Sequence, residues 1–373
     1  MHRLVSLAVL AALAASLSIA GILQPSPLAA QPASTLNVAA GLGERAVSWN
    51  DFLPGTVRVP VGTAVNWTVR SDELHTVTFL AGQPRPGLFV PQPEGPDRPP
   101  MLDPLYAFPT APAGPWDGTT YVNSADLGPG QQFSLTFARP GRYPYVCLIH
   151  QPMIGTVEVV EPGATDLTTQ ADVERAVAGD RARMETQATQ IIAARGTPTV
   201  LDRPDGTRTW FVRAGTNRRD QRLDIFAFLP GDVTIRQGDS IAWYTDHPIP
   251  HTVTFPAAGA DEPELILIQL PDGRLLPAPE LGQPMPPELA VILAEAGGPP
   301  RLVIGPGGMP ARPSPGYDGQ SFYNSGLIGD HPGVLFPTEQ VWMLTFDHPG
   351  TFEYMCVLHD PIGMEGTITV TPR

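Results

Sequence analysis

Two cysteines stand in closely similar company. Cys147 is followed by His150 and Met153, and Cys356 by His359 and Met364. Each segment reads as a strand, a tight loop carrying Cys, His and Met, and a second strand. An earlier histidine, His75 or His251, lies in the same His-Thr-Val-Thr-Phe run and adds a fourth donor. Thiolate and thioether suit the soft cuprous ion, and imidazole suits both oxidation states. A Cys-His₂ plane with a weak axial Met is the geometry of electron-transfer copper. The expected ligands are therefore His75, Cys147, His150 and Met153 for one copper, and His251, Cys356, His359 and Met364 for a second. Three donors from one short loop and one from a packed strand would keep each site rigid.

The donor sets belong to a longer repeat. Phe52-Leu53-Pro54-Gly55-Thr56-Val57 returns as Phe228-Leu229-Pro230-Gly231-Asp232-Val233, 176 residues later, and His75 returns as His251 at the same offset. Asp117-Gly118 and Asn123-Ser124 recur as Asp318-Gly319 and Asn324-Ser325 at an offset of 201, and Cys147 with His150 recurs as Cys356 with His359 at 209. A growing offset means that the second copy carries insertions in two loops.

The elements that must hold these donors are mostly strands. Thr56-Val57-Arg58-Val59, Ala64 to Val69 and Phe133 to Phe137 alternate apolar and polar residues, and Val233-Thr234-Ile235 and Ile241-Ala242-Trp243 match them. Short alternating runs with Gly/Pro turns predict an antiparallel sandwich in each copy, with Trp67 and Trp243 as core residues. Between the copies one amphipathic helix is expected from about Gln170 to Arg195. Val173, Val177, Met184, Ala188 and Ile191 share a face, Thr169 is placed as N-cap, and Gly196 with Pro198 gives the stop. Two Pro/Gly-rich loops, about 82–115 and 257–315, follow the first histidine of each copy. Loops this long are expected to shield the sites or to shape a docking surface.

These motifs resemble the cupredoxins, the blue-copper family of plastocyanin, amicyanin and pseudoazurin. Cys-x₂-His-x₂-Met in the first copy resembles the short amicyanin loop, and Cys-x₂-His-x₄-Met in the second resembles that of plastocyanin and pseudoazurin. The resemblance implies an all-β chain of two tandem Greek-key β-sandwich domains joined by one long helix. The expected division is a signal peptide over 1–30, a first domain over 31–163, a helical linker over 164–198 and a second domain over 199–373. It also implies one type 1 copper in each domain. One departure stands out: an asparagine usually follows the first histidine in this family, whereas Thr76 and Thr252 stand here. The polar wiring around the ligands is therefore expected to differ.

Composition limits the partners. The 373 residues carry a net charge of −14, so a nucleic-acid partner is not expected; that all 23 basic residues are arginine is read as composition only. The basic start Met1-His2-Arg3, the apolar run Leu4 to Leu23 and Leu28-Ala29-Ala30-Gln31 predict export to the periplasm or outside the cell. Cleavage after Ala30 is the main expectation, and an uncleaved membrane anchor is the alternative. An exported protein ordinarily uses its cysteines as disulfides, but a Cys147–Cys356 bridge would consume both motifs.

Three functions compete. The first is an electron carrier that serves redox protein partners at an exposed histidine edge. The second is a copper-binding, storage or sensing module. The third is a multicopper oxidase or nitrite reductase. That third class typically wires a second copper centre through a His beside the blue-copper Cys, whereas Val146 and Met355 stand there. His247 is set aside because the repeat selects His251, while His331 and His348, in Asp-His-Pro-Gly turns, are expected on the surface. The reading is a non-enzymatic carrier.

Overall fold

The computed structural model describes residues 34–373 apart from 96, 219–221, 247, 284 and 336–337. The expected signal segment and His247 lie outside the described residues.

Each copy folds as two facing sheets. In the first, Val47–Leu53, Thr35–Glu44, Ala64–Arg70 and Gln132–Thr136 face a sheet of Thr56–Pro60, Ile154–Val160, Gly141–Val146, Thr78–Phe79 and Val122–Asn123. Alternation decides which side chains turn inward: Val57, Val59, Val65, Trp67 and Val69 are buried and their neighbours are not. The second copy repeats the plan, with Leu223–Leu229, Arg208–Asn217, Ser240–Tyr244 and Val341–Phe346 facing a sheet that includes Asp232–Arg236, Glu365–Thr371, Gly350–Met355, Thr254–Phe255 and Tyr323–Ser325. Trp67 packs edge-on against Phe79 and Tyr145, and Trp243 against Phe255 and Tyr354, so both tryptophans are core residues as expected.

The sandwiches are mixed rather than purely antiparallel. Thr35–Glu44 runs parallel to Ala64–Arg70, and Thr56–Pro60 parallel to Ile154–Val160, with both pairings repeated in the second copy. A two-residue period tells which face a side chain takes and carries no information on strand direction.

The copies are not separate bodies. Leu223–Leu229 pairs antiparallel with Val47–Leu53 through Leu223–Trp49, Asp224–Ser48 and Ile225–Val47, which fuses one sheet from each copy into a single sheet of ten strands. The helix Gln170–Arg195 lies over this seam, against Thr35–Glu44, Val47–Leu53 and Leu223–Leu229. Its 26 residues reach about 39 Å. Thr169 closes a capping box with Asp172, and Val173, Val177, Met184 and Ala188 are buried as the periodicity predicts. The helix therefore carries the chain between the copies and also covers their junction.

The long loops form a second link. Phe89–Val90 and Met101–Leu102 from the first loop join Arg301–Ile304, Ile266–Gln269 and Leu275–Pro277 from the second in one five-stranded sheet. Among the described residues no helix is long and apolar enough to cross a membrane.

Candidate metal centres

The first candidate centre sits at one end of a hairpin. Gly141–Val146 and Ile154–Val160 pair in register to Val146–Ile154, which leaves residues 147–153 as the connecting loop. The Cys147 N–H donates to the Met153 carbonyl at 3.0 Å and the Met153 N–H to the His150 carbonyl at 3.0 Å, so the loop is closed by its own backbone. His75 is fixed from the opposite side, its N–H and C=O both paired with Leu127. The second centre is built alike: the Cys356 N–H donates to the Met364 carbonyl at 3.0 Å, and His251 pairs with Ile328.

The donor atoms converge. Cys147 Sγ lies 4.0 Å from His75 Nδ1 and 3.6 Å from His150 Nδ1. Cys356 Sγ lies 3.7 Å from His251 Nδ1 and 3.4 Å from His359 Nδ1, and the two Nδ1 atoms are 3.1 Å apart. An ion in the plane of one sulfur and two nitrogens at about 2.0–2.3 Å would hold them about 3.6 Å apart. The separations of 3.1–4.0 Å bracket that value, the ligand atoms of each group lie within 4.8 Å of one another, and all six residues are buried. Met153 and Met364 are fully buried where each loop closes. The two cysteines are free thiols in separate groups, so the alternative bridge is absent.

Burial sets the charge states. It drives His75 and His359 down to about 3 and pushes the Cys356 thiol up to about 12; the Cys147 thiol is raised for the same reason.

The threonines after the first histidines supply the expected different wiring. The Thr76 N–H points at Cys147 Sγ at 3.4 Å, and its hydroxyl accepts the Leu148 N–H at 2.8 Å. That hydroxyl lies 3.1 Å from the Thr78 hydroxyl, which donates to Asn123 Oδ1, while Asn123 Nδ2 donates to the carbonyls of Leu105 and Tyr106. Thr252, Thr254 and Asn324 repeat the chain, with the Thr252 N–H 3.3 Å from Cys356 Sγ. The recurrence of Asn-Ser in both copies was the visible sign of this network, and the sequence alone did not reveal its purpose.

Local polar contacts also set the first imidazole. Ser71 Oγ donates to the Glu73 carbonyl at 3.0 Å, so at 2.9 Å it accepts from His75 Nε2–H, which leaves the Nδ1 lone pair for the pocket. Gly41, at φ +71°, makes room, since a Cβ there would sit 2.1 Å from His75 Nε2. In the second copy the ring of Phe226 stacks on His359, with centroids 4.5 Å apart.

Further contacts reach across the copies, and they correct two expectations. His331, expected on the surface, is buried: its Nδ1 accepts the Gly333 N–H at 2.8 Å and its Nε2–H donates to the Ile149 carbonyl at 2.7 Å, inside the first copy's loop. An Asp-His-Pro-Gly turn is polar in composition, and here the neighbouring copy covers it. His348 is exposed, as expected. Within the first copy itself, Arg85 from the long loop donates to the Cys147 carbonyl at 2.8 Å and to the Gln151 side chain.

The second correction concerns the exposed histidine edge. His150 and His359 are 0% and 4% exposed, and their Nε2 edges turn inward toward one buried carboxyl. Glu73 places Oε1 3.8 Å from His150 Nε2 and Oε2 4.0 Å from His359 Nε2. Burial, with Asp224 and Asp126 nearby, raises Glu73 to about 8. Its repeat counterpart, 176 residues on, is Ile249, so a polar-for-apolar mismatch between copies was the available signal.

Residues 44–160 match the family model described as copper binding proteins, plastocyanin/azurin family. No curated protein matches the chain. Among solved structures, a Cu(I) amicyanin variant is 22% identical over 34% of this chain and 82% of its own, with a TM-score of 0.21. Another Cu(I) amicyanin variant is 22% identical over 35% and 88%, at 0.22, and a reduced one 23% identical over 34% and 82%, at 0.21. The segment 44–160, with its converging Cys-His₂ donors, is thus similar to the copper-binding plastocyanin/azurin family, and the second copy carries the same donor group on the same plan.

Proposed function

We propose that the chain is an exported electron-transfer protein, not an enzyme, with one type 1 copper in each copy. His75, Cys147, His150 and Met153 hold the first, and His251, Cys356, His359 and Met364 the second. The observation that carries this reading is the convergence of two Nδ1 atoms on a buried sulfur, twice, with a methionine at the closing end of each loop. Copper supplies the one-electron couple. The remaining work belongs to the protein. Backbone bonds from cysteine to methionine fix each loop, the threonine N–H steadies the sulfur, and burial keeps the site closed. Little then moves between oxidation states. Electrons come from and go to redox protein partners, which must approach by a route other than the histidine edges.

The test is copper reconstitution followed by spectroscopy. The expected result is two coppers per chain and an intense thiolate-to-Cu(II) visible band that ascorbate bleaches reversibly. Cu(I) binding with no such band would replace this reading with a storage role.

A further inference from the structure

Among the described residues, Glu73 sets one carboxyl oxygen toward an imidazole of each donor group. We propose that Glu73 is a positioning residue shared by both centres, orienting His150 with one oxygen and His359 with the other. The proposal rests on the copper reading above.

The geometry argues it in three steps. First, both imidazoles turn Nδ1 toward a cysteine sulfur, so binding through Nδ1 leaves Nε2 as the N–H in both rings. Second, those two N–H edges face different oxygens of one carboxyl, at 3.8 and 4.0 Å. These separations exceed a hydrogen bond, but in an interior of low dielectric a carboxyl oxygen this near attracts an N–H dipole more strongly than it would in water. Third, Glu73 is itself fixed: it is 6% exposed and its carbonyl is bound by Ser71. A ligand imidazole whose outer N–H is bound loses rotational freedom, and losing such a partner typically weakens metal binding about 10–100-fold.

Only the ionised carboxyl presents an acceptor on both sides, so the titrations are run above pH 8; a carboxamide presents one oxygen and one NH₂. Each centre is isolated first, by C147S to leave the second and by C356S to leave the first, and copper affinity and the visible band are measured in each. Adding E73L to either background is expected to lower copper affinity about 10–100-fold and to shift the band, although the substitution lies in the first copy. Adding E73Q is expected to restore one centre to its parent's band and affinity and leave the other impaired. If E73L does not fold, as judged by circular dichroism, the E73Q pair decides alone. The proposal is overturned if E73L alters the first centre only, or if E73Q leaves both centres like their parents. Colourless parents would instead remove the copper reading.

Discussion

His331 Nε2, in the second copy, lies 2.7 Å from the carbonyl oxygen of Ile149, next to a donor histidine of the first. The contact makes the second copy part of the first copy's loop. Replacing His331 with alanine leaves that buried carbonyl without the donor, at a cost of about 1–3 kcal/mol in unfolding free energy. H331A should therefore weaken copper binding at the first centre and spare the second. Copper competition in the C147S and C356S backgrounds measures this, and selective damage to the second centre would contradict it.

Removing either thiol should remove one centre and no more. C147S and C356S are each expected to bind about one copper and keep about half the visible intensity, since the two sulfurs belong to separate donor groups. Metal analysis and absorbance at equal protein concentration check it. Loss of all colour in either variant would mean that the two centres are a single site.

Gly41 tests the fit around His75. An alanine there meets His75 Nε2 at 2.1 Å and also takes a left-handed φ of +71°, itself costing roughly 1–2 kcal/mol. G41A should lose the first copper while the C356-centred band survives. A G41A protein with both coppers would show that His75 is not held as described.

Stability of the metal-free protein should rise as pH falls from about 8 to 6.5. Glu73 and Asp126 are raised by burial to about 8 and about 7, so in this window the folded chain binds protons that the unfolded chain has released. Each group contributes at most about 1.4 kcal/mol per pH unit. Below the ordinary histidine range the rise should level off, because His75 and His359, held down to about 3, favour the neutral form in the fold. It should reverse only below about pH 4, where the unfolded carboxyls are protonated too. Urea titrations across this range read the slope. Stability that climbs with pH between 6.5 and 8 would refute the assignment.

The two converging Cys-His₂ groups were legible in the sequence because Cys and His are few and their spacing closely recurs. Strand faces were legible too, since Val65, Trp67 and Val69 alternate with polar neighbours. Arg85 was not, because it reaches its own copy's loop from a long connection without periodicity. Nor were His331 and Glu73, because their roles depend on how one copy meets the other. That meeting is set by Val47–Leu53 pairing with Leu223–Leu229, and pairing between remote strands leaves no local periodicity. The nearest sign was divergence at the contact: Glu73 against Ile249, and Asn50, whose Nδ2 donates to Asp224 of the second copy at 2.6 Å, against Phe226, both at the 176-residue offset.

The shared ten-stranded sheet has one more consequence. A protease nick in the helix Gln170–Arg195 would cut the tether without freeing either copy, because Val47–Leu53 and Leu223–Leu229 would still be laced together. Expressed alone, each fragment would present a bare edge strand and tend to associate with itself. Supplied together, the two fragments should reassemble as a complementing pair.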